Sequence, residues 1–373
     1  MGGDDTTPGL DDAIAAETRL SRIDGETGDL VVAGYPLSEL AGRATAAEVL
    51  FVLLHDRLPT RPELDDLRDR LATARTLPAP TRSLLRAAGD AGADPTAALR
   101  TGLASLDATG ESVTDPVRVV GAVPAIVGTY WRARRGLTDA PPTTDADRGQ
   151  AAALLRLVTD TDPDPDHVDA LETYLVALAE HGLDAPTLAA RTVVSTGSDL
   201  LSAVTAATGA LAGDRHGGAP GPVLDLLDAT ATDGAESVLR ERLEAGKRLH
   251  GFGHRVYRTR DPRAAVVEAT AAALVPPDRL AHVREVERVG TDLLADRYPD
   301  RTPATNVEFW AAVLLDGIGL PRPLFTSTFA TARVAGWAAH AAEQRASGRL
   351  LRPRSRYVGA TGRTWTPIER RYR

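Results

Sequence analysis

Residues 251–264 read GFGHRVYRTRDPRA, and most of what can be inferred about this chain starts from that stretch. Gly251 and Gly253 surround a phenylalanine and precede His254, which predicts a tight loop that presents the imidazole. His250 and His254 have the i,i+4 spacing of a helical metal pair, but the intervening glycines argue against a regular helix. No cysteine or clustered third ligand accompanies them, so we predict no metal site. A dinucleotide fingerprint also fails, because Val256 occupies the position of its third glycine.

Arg258, Arg260 and Arg263 follow this histidine within ten residues, in addition to the adjacent Arg255. Guanidinium groups bind carboxylates through two parallel hydrogen bonds, so an arginine cluster beside a loop histidine suits an anionic substrate. A solvated basic loop would have the same composition. These residues alone leave both interpretations open.

A second histidine, His216, precedes Gly217 and Gly218 between two helical stretches. Gly221 and Pro222 predict the cap and first residue of the next helix, whose N-terminus would lie near His216. An ordinary loop histidine at a helix junction is the simpler interpretation of this segment taken alone.

The composition excludes several classes of protein. The chain has 373 residues, no cysteine and a net charge of −8, so disulfides, thiolate metal sites and a cysteine nucleophile are excluded. The acidic balance argues against a nucleic-acid partner. No apolar run approaches the roughly 20 residues of a membrane span, and the first residues lack the features of a signal peptide. We expect a soluble, cytoplasmic protein.

Hydrophobic periodicity predicts a mainly α-helical fold. Only 4% of the residues are aromatic, so alanine, leucine and valine must fill the core, which favours helices. Residues 23–32 predict a small β-hairpin, with glycines in its turn. Helices are predicted over 44–54, 61–74, 119–134 and 168–178, a further one capped by Asp184, and another from Ser198 to Gly213.

The stretch 251–264 closely resembles the signature of citrate synthases, and further matches occur in order along nearly the whole chain. They comprise residues 21–25, 34–36, 58–60, 216–219, 324–326, 332–333, 336–337, His340, 352–354 and 357–359. The resemblance implies a two-domain helical fold, with residues 1–216 and 324–373 in a large domain and 217–323 in a small one. It also implies a homodimer.

By this resemblance the protein condenses acetyl-CoA with oxaloacetate and water to give citrate and CoA, as in the tricarboxylic acid cycle. The family uses neither a metal nor a redox cofactor, and the CoA thioester is a co-substrate. The resemblance implies that His216 donates to the thioester oxygen and that His254 polarises the ketone and protonates the alkoxide. His181 matches a substrate-contacting histidine, although a role as a helix-end cap is equally compatible with its position.

The remaining roles implied by the resemblance concern arginines. Arg263 and Arg333 match carboxylate-binding residues, and Arg352 matches one that reaches the partner subunit's site. Arg258 and Arg354 are weaker candidates for the CoA phosphates, since solvated surface charges would explain them as well.

One departure from the family pattern concerns the base. The family has aspartate where this chain has Glu308, after Asn306 and Val307. The additional methylene moves a carboxylate by about 1 Å, and a misplacement of that size can lower a rate about a hundredfold. Two alternatives therefore stay open: a 2-methylcitrate synthase that uses propionyl-CoA, and a catalytically silent paralogue that binds acyl-CoA.

Overall fold

The computed structural model describes residues 13–107, 114–137, 149–213, 220–299 and 303–371. Within these residues the chain is mainly α-helical, as expected, and carries one small antiparallel sheet. The strands are β1 (Ser21–Asp24), β2 (Asp29–Val32) and β3 (Tyr35–Pro36). The helices are α1 (Leu37–Leu40), α2 (Ala46–His55), α3 (Arg61–Ala74), α4 (Ala79–Asp90), α5 (Pro95–Ala104), α6 (Pro116–Arg134), α7 (Gln150–Thr159), α8 (Pro165–Leu178), α9 (Ala185–Ser195), α10 (Leu200–Leu211), α11 (Pro220–Asp233), α12 (Ala235–Glu244), α13 (Pro262–Ala272), α14 (Pro277–Arg297), α15 (Val307–Gly317) and α16 (Phe325–Ser347).

The sheet confirms the predicted hairpin and extends it. β1 pairs with β2 so that Ser21 lies opposite Val32, and β3 adds a third antiparallel strand that the sequence analysis did not expect. The hairpin turn is stabilised by Asp24, whose Oδ1 accepts hydrogen bonds from the backbone N–H groups of Glu26 (3.0 Å) and Thr27 (3.1 Å).

Aspartates begin many of the helices, because a carboxylate oxygen can accept the unpaired N–H groups of a first turn. Asp184 caps α9 as predicted, accepting from the Thr187 N–H at 2.9 Å. The prediction that Ser198 opens α10 was wrong by one residue, since Asp199 is the cap and accepts from the Ser202 N–H at 2.7 Å. α11 begins at Pro220 rather than at Pro222. Both prolines fit there, because first-turn N–H groups have no intrahelical acceptor.

The longest helix, α16, is the centre of the core. It packs against α6, α8, α9 and α10 and is buried over most of its length. Alanines and Gly336 let the neighbouring helices approach closely. Polar residues on α16, including Arg333 and His340, are therefore held in the interior, where each needs a polar partner.

Helices α11 to α15 fall within the expected small domain. α12 and α14 pack on each other and on α11, whereas α13 and α15 pack together and also contact α8. These contacts bring the starts of α13 and α15 to the C-terminal half of α8, where the candidate site lies. The division at residues 217–323 stays a prediction.

None of the helices in the described part of the chain has both the length and the apolar character needed to cross a lipid bilayer.

Candidate active site

The glycine loop that precedes His254 is fastened to the segment that precedes α15. Gly251 and Gly253 have φ angles of +85° and +78°, which glycine adopts without strain. The Asn306 N–H donates to the Gly251 carbonyl (2.9 Å), and the Gly253 N–H donates to the Ala304 carbonyl (2.8 Å). The tight loop is therefore confirmed, and its pairing places His254 beside the start of α15.

The hydrogen bonds of His254 select one tautomer of its ring. Nδ1 accepts from the backbone N–H groups of Val256 (3.0 Å) and Tyr257 (3.1 Å). A neutral imidazole then carries its proton on Nε2. Burial, assisted by the positive charge of Arg263 and opposed by Asp261, lowers the pKa of His254 to about 4. At neutral pH this side chain is therefore an uncharged donor at Nε2.

Asp261 and Arg263 form a buried ion pair next to this donor. Arg263 donates from Nε to Oδ1 (3.0 Å) and from Nη2 to Oδ2 (2.7 Å) of Asp261. Asp261 also accepts from the Val307 N–H (3.2 Å), so it joins the starts of α13 and α15. Although burial raises the pKa of Asp261, the charge and hydrogen bonds of Arg263 keep it below its usual value. Asp261 was missed as a site residue, although its place in the Asp-Pro-Arg motif was a usable signal.

The ion pair with Asp261 uses only Nε and Nη2 of the Arg263 guanidinium. Nη2 lies 3.4 Å from Nε2 of His254, so the guanidinium and the imidazole donor are adjacent. Nη1 makes no hydrogen bond to any described residue. A carboxylate that bound this nitrogen would bring the rest of its molecule next to His254.

Glu308 lies in the first turn of α15, where Asn306 caps the helix and accepts from the Glu308 N–H at 3.0 Å. Its side chain is buried and its carboxylate accepts no hydrogen bond from the described residues. Burial raises the pKa of Glu308 to about 7, while the positive charges of Arg263 and Arg333 oppose that rise. A carboxyl group with a pKa near the working pH is suited to general base catalysis.

His181 follows the end of α8 and faces the glycine loop. Its ring lies edge-on to that of His254 with 5.4 Å between centroids, and its Nε2 is 3.2 Å from the Tyr257 hydroxyl. Burial raises the pKa of Tyr257, which keeps this hydroxyl protonated. The predicted site residues His181 and His254 are thus neighbours although 73 residues separate them in sequence.

Arg333 reaches the same region from α16. Its Nε donates to the Leu178 carbonyl (2.9 Å), its Nη1 pairs with Asp184, and its guanidinium lies 5.1 Å from the centre of the Phe329 ring. Nη2 makes no hydrogen bond to a described residue. In both Arg263 and Arg333, protein groups bind Nε and one terminal nitrogen, and the other terminal nitrogen makes no hydrogen bond to a described residue.

Tyr174 was not predicted to be near the site. It is fully buried on α8, and its hydroxyl has no hydrogen-bond partner among the described residues. Burial, together with the charge of Glu308, raises the pKa of Tyr174, while Arg333 and Arg263 act in the opposite direction. Tyr174 and Leu178 are four residues apart on α8 and so lie on one face of this helix, whereas His181 follows the helix end.

Three other predicted residues among those described are not brought to this group. Arg258 is exposed, with its backbone N–H bonded to the Gly25 carbonyl (2.8 Å), and Arg352 and Arg354 are exposed in the C-terminal segment. His216 lies outside the described residues. Arg260 does not join an anion-binding cluster either, because it pairs with Glu268 (2.6 Å) and Glu287 (3.2 Å).

The described residues contain no group of three histidine, aspartate or glutamate side chains arranged to hold a metal ion.

The fold and the site together define a mainly helical acid–base enzyme. A neutral histidine donor, a buried carboxyl group and two arginines with uncommitted nitrogens are held by α8, α13, α15 and α16. This combination suits proton transfer on a substrate that carries carboxylates.

Comparisons with known proteins identify the family. The family described as "Citrate synthase, C-terminal domain" matches residues 9–354. The chain is 36% identical to the citrate synthase of Haloferax volcanii, covering 97% of this chain and 98% of that protein. It is 33% identical to the 2-methylcitrate synthase of Shewanella oneidensis, covering 98% of each.

Solved structures that are similar to this chain are also citrate synthases. The citrate synthase of Thermotoga maritima superimposes with a TM-score of 0.87 at 30% identity, over 98% of this chain and 99% of that one. A Thermoplasma acidophilum citrate synthase in a ternary complex with carboxymethyl coenzyme A and oxaloacetate gives a TM-score of 0.89 at 28% identity, over 98% of this chain and 100% of that one. The chain therefore belongs to the citrate synthase family and is an enzyme with citrate synthase-type activity.

Proposed function

We propose that the protein condenses acetyl-CoA with oxaloacetate and hydrolyses the resulting thioester to citrate and CoA. The observation that carries this proposal is the position of Glu308, a buried carboxyl group at a helix start whose charge interacts with Arg263 and Arg333. The aspartate-to-glutamate replacement thus leaves the carboxyl group in the same polar cluster as the two arginines.

Glu308 is the proposed base. It removes a proton from the methyl carbon of the thioester, and the electron pair moves onto the thioester oxygen to form an enolate. A pKa near 7 makes the carboxylate basic enough to accept that proton and leaves a useful fraction ionised at neutral pH. His216, by resemblance, donates a hydrogen bond to the enolate oxygen.

His254 is the proposed acid. Its Nε2–H donates to the ketone oxygen of oxaloacetate and transfers the proton as the enolate carbon bonds to the ketone carbon. Nη1 of Arg263 and Nη2 of Arg333 bind the substrate carboxylates, and His181 adds a third polar contact. Water then cleaves the citryl thioester and releases CoA.

The site is completed by a second subunit in this proposal. The segment after α16 exposes large apolar side chains, with Tyr357 72%, Val358 86% and Trp365 76% exposed in the single chain. A partner subunit would cover them, and Arg352 in the same segment would reach the partner's site. Arg258 and Arg354 stay candidates for the CoA phosphates.

Propionyl-CoA is the second candidate acyl donor. The 2-methylcitrate synthase of Shewanella oneidensis is nearly as similar to this chain as the citrate synthases are. One methylene in a pocket changes binding by only about 1–3 kcal/mol, so the two activities can overlap.

Release of CoA tests the proposal directly. The chain has no cysteine, so a thiol reagent measures released CoA without protein background. We expect release from acetyl-CoA with oxaloacetate, and a comparison with propionyl-CoA decides the preferred donor. Failure with both thioesters, together with tight CoA binding, would favour a silent acyl-CoA-binding paralogue.

Two variants test the base. Glu308→Gln should abolish turnover while calorimetry shows oxaloacetate affinity nearly intact, because the amide cannot accept the proton. Glu308→Asp is the matched control and should keep measurable turnover. Unchanged turnover in Glu308→Gln would show that another residue is the base.

A further inference from the structure

Glu180 is a buried carboxylate next to His181 that the proposed reaction does not use. Its exposed fraction is 1%, and its Oε1 accepts hydrogen bonds from the Ser21 hydroxyl (2.8 Å), the Gly182 N–H (2.7 Å) and His340 Nε2 (3.0 Å). Gly182 directly follows His181 and has a φ angle of +64°. The carboxylate therefore stabilises the turn that carries His181 through the Gly182 N–H.

The contacts of His340 allow only one tautomer. Its ring is fully buried on α16, and Nη1 of Arg191 lies 2.6 Å from its Nδ1. A guanidinium group can only donate, so Nδ1 is an acceptor and the ring proton is on Nε2. That proton is donated to Glu180. One neutral imidazole thus connects a buried cation to a buried anion.

Arg191 is itself held rigidly on α9. Its Nε donates to Gln344 Oε1 (2.9 Å) and its Nη1 to Glu343 Oε2 (2.7 Å). Through the imidazole, Glu180 is thus linked to the Arg191–Glu343 ion pair.

Glu180 also has little freedom to move. Its Oε2 is buried, accepts no hydrogen bond from the part of the chain that the structure describes, and lies so close to Gly336 that a Cβ atom there would be 2.5 Å away. Rotation of the carboxylate would break the three hydrogen bonds of Oε1. The position of the His181 turn is therefore coupled to α9 and α16.

We propose that Arg191, His340 and Glu180 form a positioning relay that sets the orientation of His181 toward the substrate. The relay rests on the proposed function in one respect, because His181 is assigned to oxaloacetate there. The three residues do not touch the reacting groups. They act on the turn that carries His181.

Two substitutions of His340 separate positioning from simple packing. In His340→Asn the amide oxygen can replace Nδ1 as the acceptor for Arg191, but the donor to Glu180 is lost. In His340→Gln the amide nitrogen can replace Nε2 and keep that donor. Both variants remove a buried ring, so a purely structural role predicts similar losses of thermal stability and similar kinetics.

The relay predicts different kinetics for the two variants. His340→Asn should raise the KM for oxaloacetate about tenfold or more and lower kcat less, since a misplaced binding group weakens substrate contacts. His340→Gln should stay within about threefold of the parent protein. Equal KM values in the two variants would overturn the proposal.

A control and a milder variant complete the test. Gln150 is buried and bonds Arg75 and the Val120 carbonyl, so Gln150→Ala should lower stability without raising the KM for oxaloacetate. Ser21→Ala removes one donor to Glu180 from a half-buried position. If both His340 variants fail to fold, a KM increase in Ser21→Ala supports the relay and an unchanged KM contradicts it.

A measurement without substrate separates this proposal from the proposed function. Hydrogen–deuterium exchange of a peptide covering residues 179–183 reports the Gly182 N–H bond directly. We expect faster exchange in His340→Asn than in His340→Gln at matched stability, whether or not the parent protein releases CoA. Equal exchange rates would overturn the relay, whereas absence of CoA release from the parent would overturn only the proposed function.

Discussion

The two imidazoles described at the site are held in opposite ways. The hydrogen bonds of the His254 ring are local, because its Nδ1 accepts from the N–H groups two and three residues later, although the preceding glycines are bonded to Ala304 and Asn306. The turn that carries His181 depends on distant residues instead. Glu180, beside it, bonds Ser21 and His340, which are 159 and 160 residues away in sequence.

This difference indicates which substitutions change the chemistry of the site directly and which change it through helix packing. The local hydrogen bonds of His254 form whenever its loop adopts this conformation. A substitution of that side chain therefore mainly removes its own functional group and leaves the rest of the site in place. Distant contacts exist only when α8, α9 and α16 are packed together. A substitution near the His181 turn therefore changes substrate binding through the positions of whole helices.

The largest effect is expected from the local region, in His254→Asn. The amide oxygen can accept the Val256 and Tyr257 N–H groups and preserve the loop, while the Nε2–H donor is lost. Removal of such a donor lowers kcat about 100- to 1,000-fold. Initial rates of CoA release measure the change. His250→Asn, four residues earlier in the same segment, is the control and should keep its kcat. A loss below threefold in His254→Asn would mean that the ketone is polarised by another group.

The second largest effect is expected at Glu308, whose charge interacts with Arg263 and with Arg333. It is a change in the pH dependence of protein stability. Its pKa is about 7 in the folded protein against 4.5 for an ordinary glutamate side chain, so between these pH values the folded state binds more protons than the unfolded state. Stability from this group is therefore lost as pH rises. Glu308→Gln lacks that loss, so the variant should gain about 2 to 3 kcal/mol over the parent between pH 5 and pH 8. Denaturant unfolding at both pH values measures the gain, and a constant difference would contradict it.

A smaller effect, on the KM for oxaloacetate, is expected from Arg333→Lys on α16, where the contacts are distant in sequence. An ammonium group keeps the charge but cannot bond the Leu178 carbonyl, Asp184 and a substrate carboxylate together. We expect the KM for oxaloacetate to rise about tenfold. Arg322→Lys, which changes an exposed arginine paired with Asp228, is the matched control and should leave KM unchanged. Equal KM values in the two variants would remove Arg333 from the substrate site.

The smallest effect compares two buried tyrosines. The Tyr174 hydroxyl bonds none of the described residues, whereas the Tyr130 hydroxyl donates to the Ala93 carbonyl at 2.5 Å. Tyr174→Phe should therefore leave stability unchanged or raise it by up to about 1 kcal/mol, and Tyr130→Phe should lower it by about 1 kcal/mol. Chemical denaturation of both variants checks the sign. A loss in Tyr174→Phe as large as that in Tyr130→Phe would indicate a bound partner for Tyr174.

The sequence predicted local features well. α3 spans Arg61–Ala74 as the periodicity indicated, and Asp184 caps α9. The exact start of a helix was harder to predict where neighbouring residues can both serve as the cap, as with Ser198 and Asp199 before α10. Arg260 illustrates another limit, because its partners Glu268 and Glu287 lie on later helices, and only packing brings them together.

By itself, the sequence determined the helical class, the hairpin, the glycine loop that presents His254 and the resemblance that points to a citrate synthase. These depend on residue type and short-range spacing, which chain connectivity converts directly into structure. The tertiary structure alone decided that Tyr174 lies near Glu308, that His340 links Arg191 to Glu180, and that Glu308 is buried enough to hold its proton near neutral pH. Those properties depend on which helices exclude water from which side chains, and that is a property of the packed chain rather than of any segment.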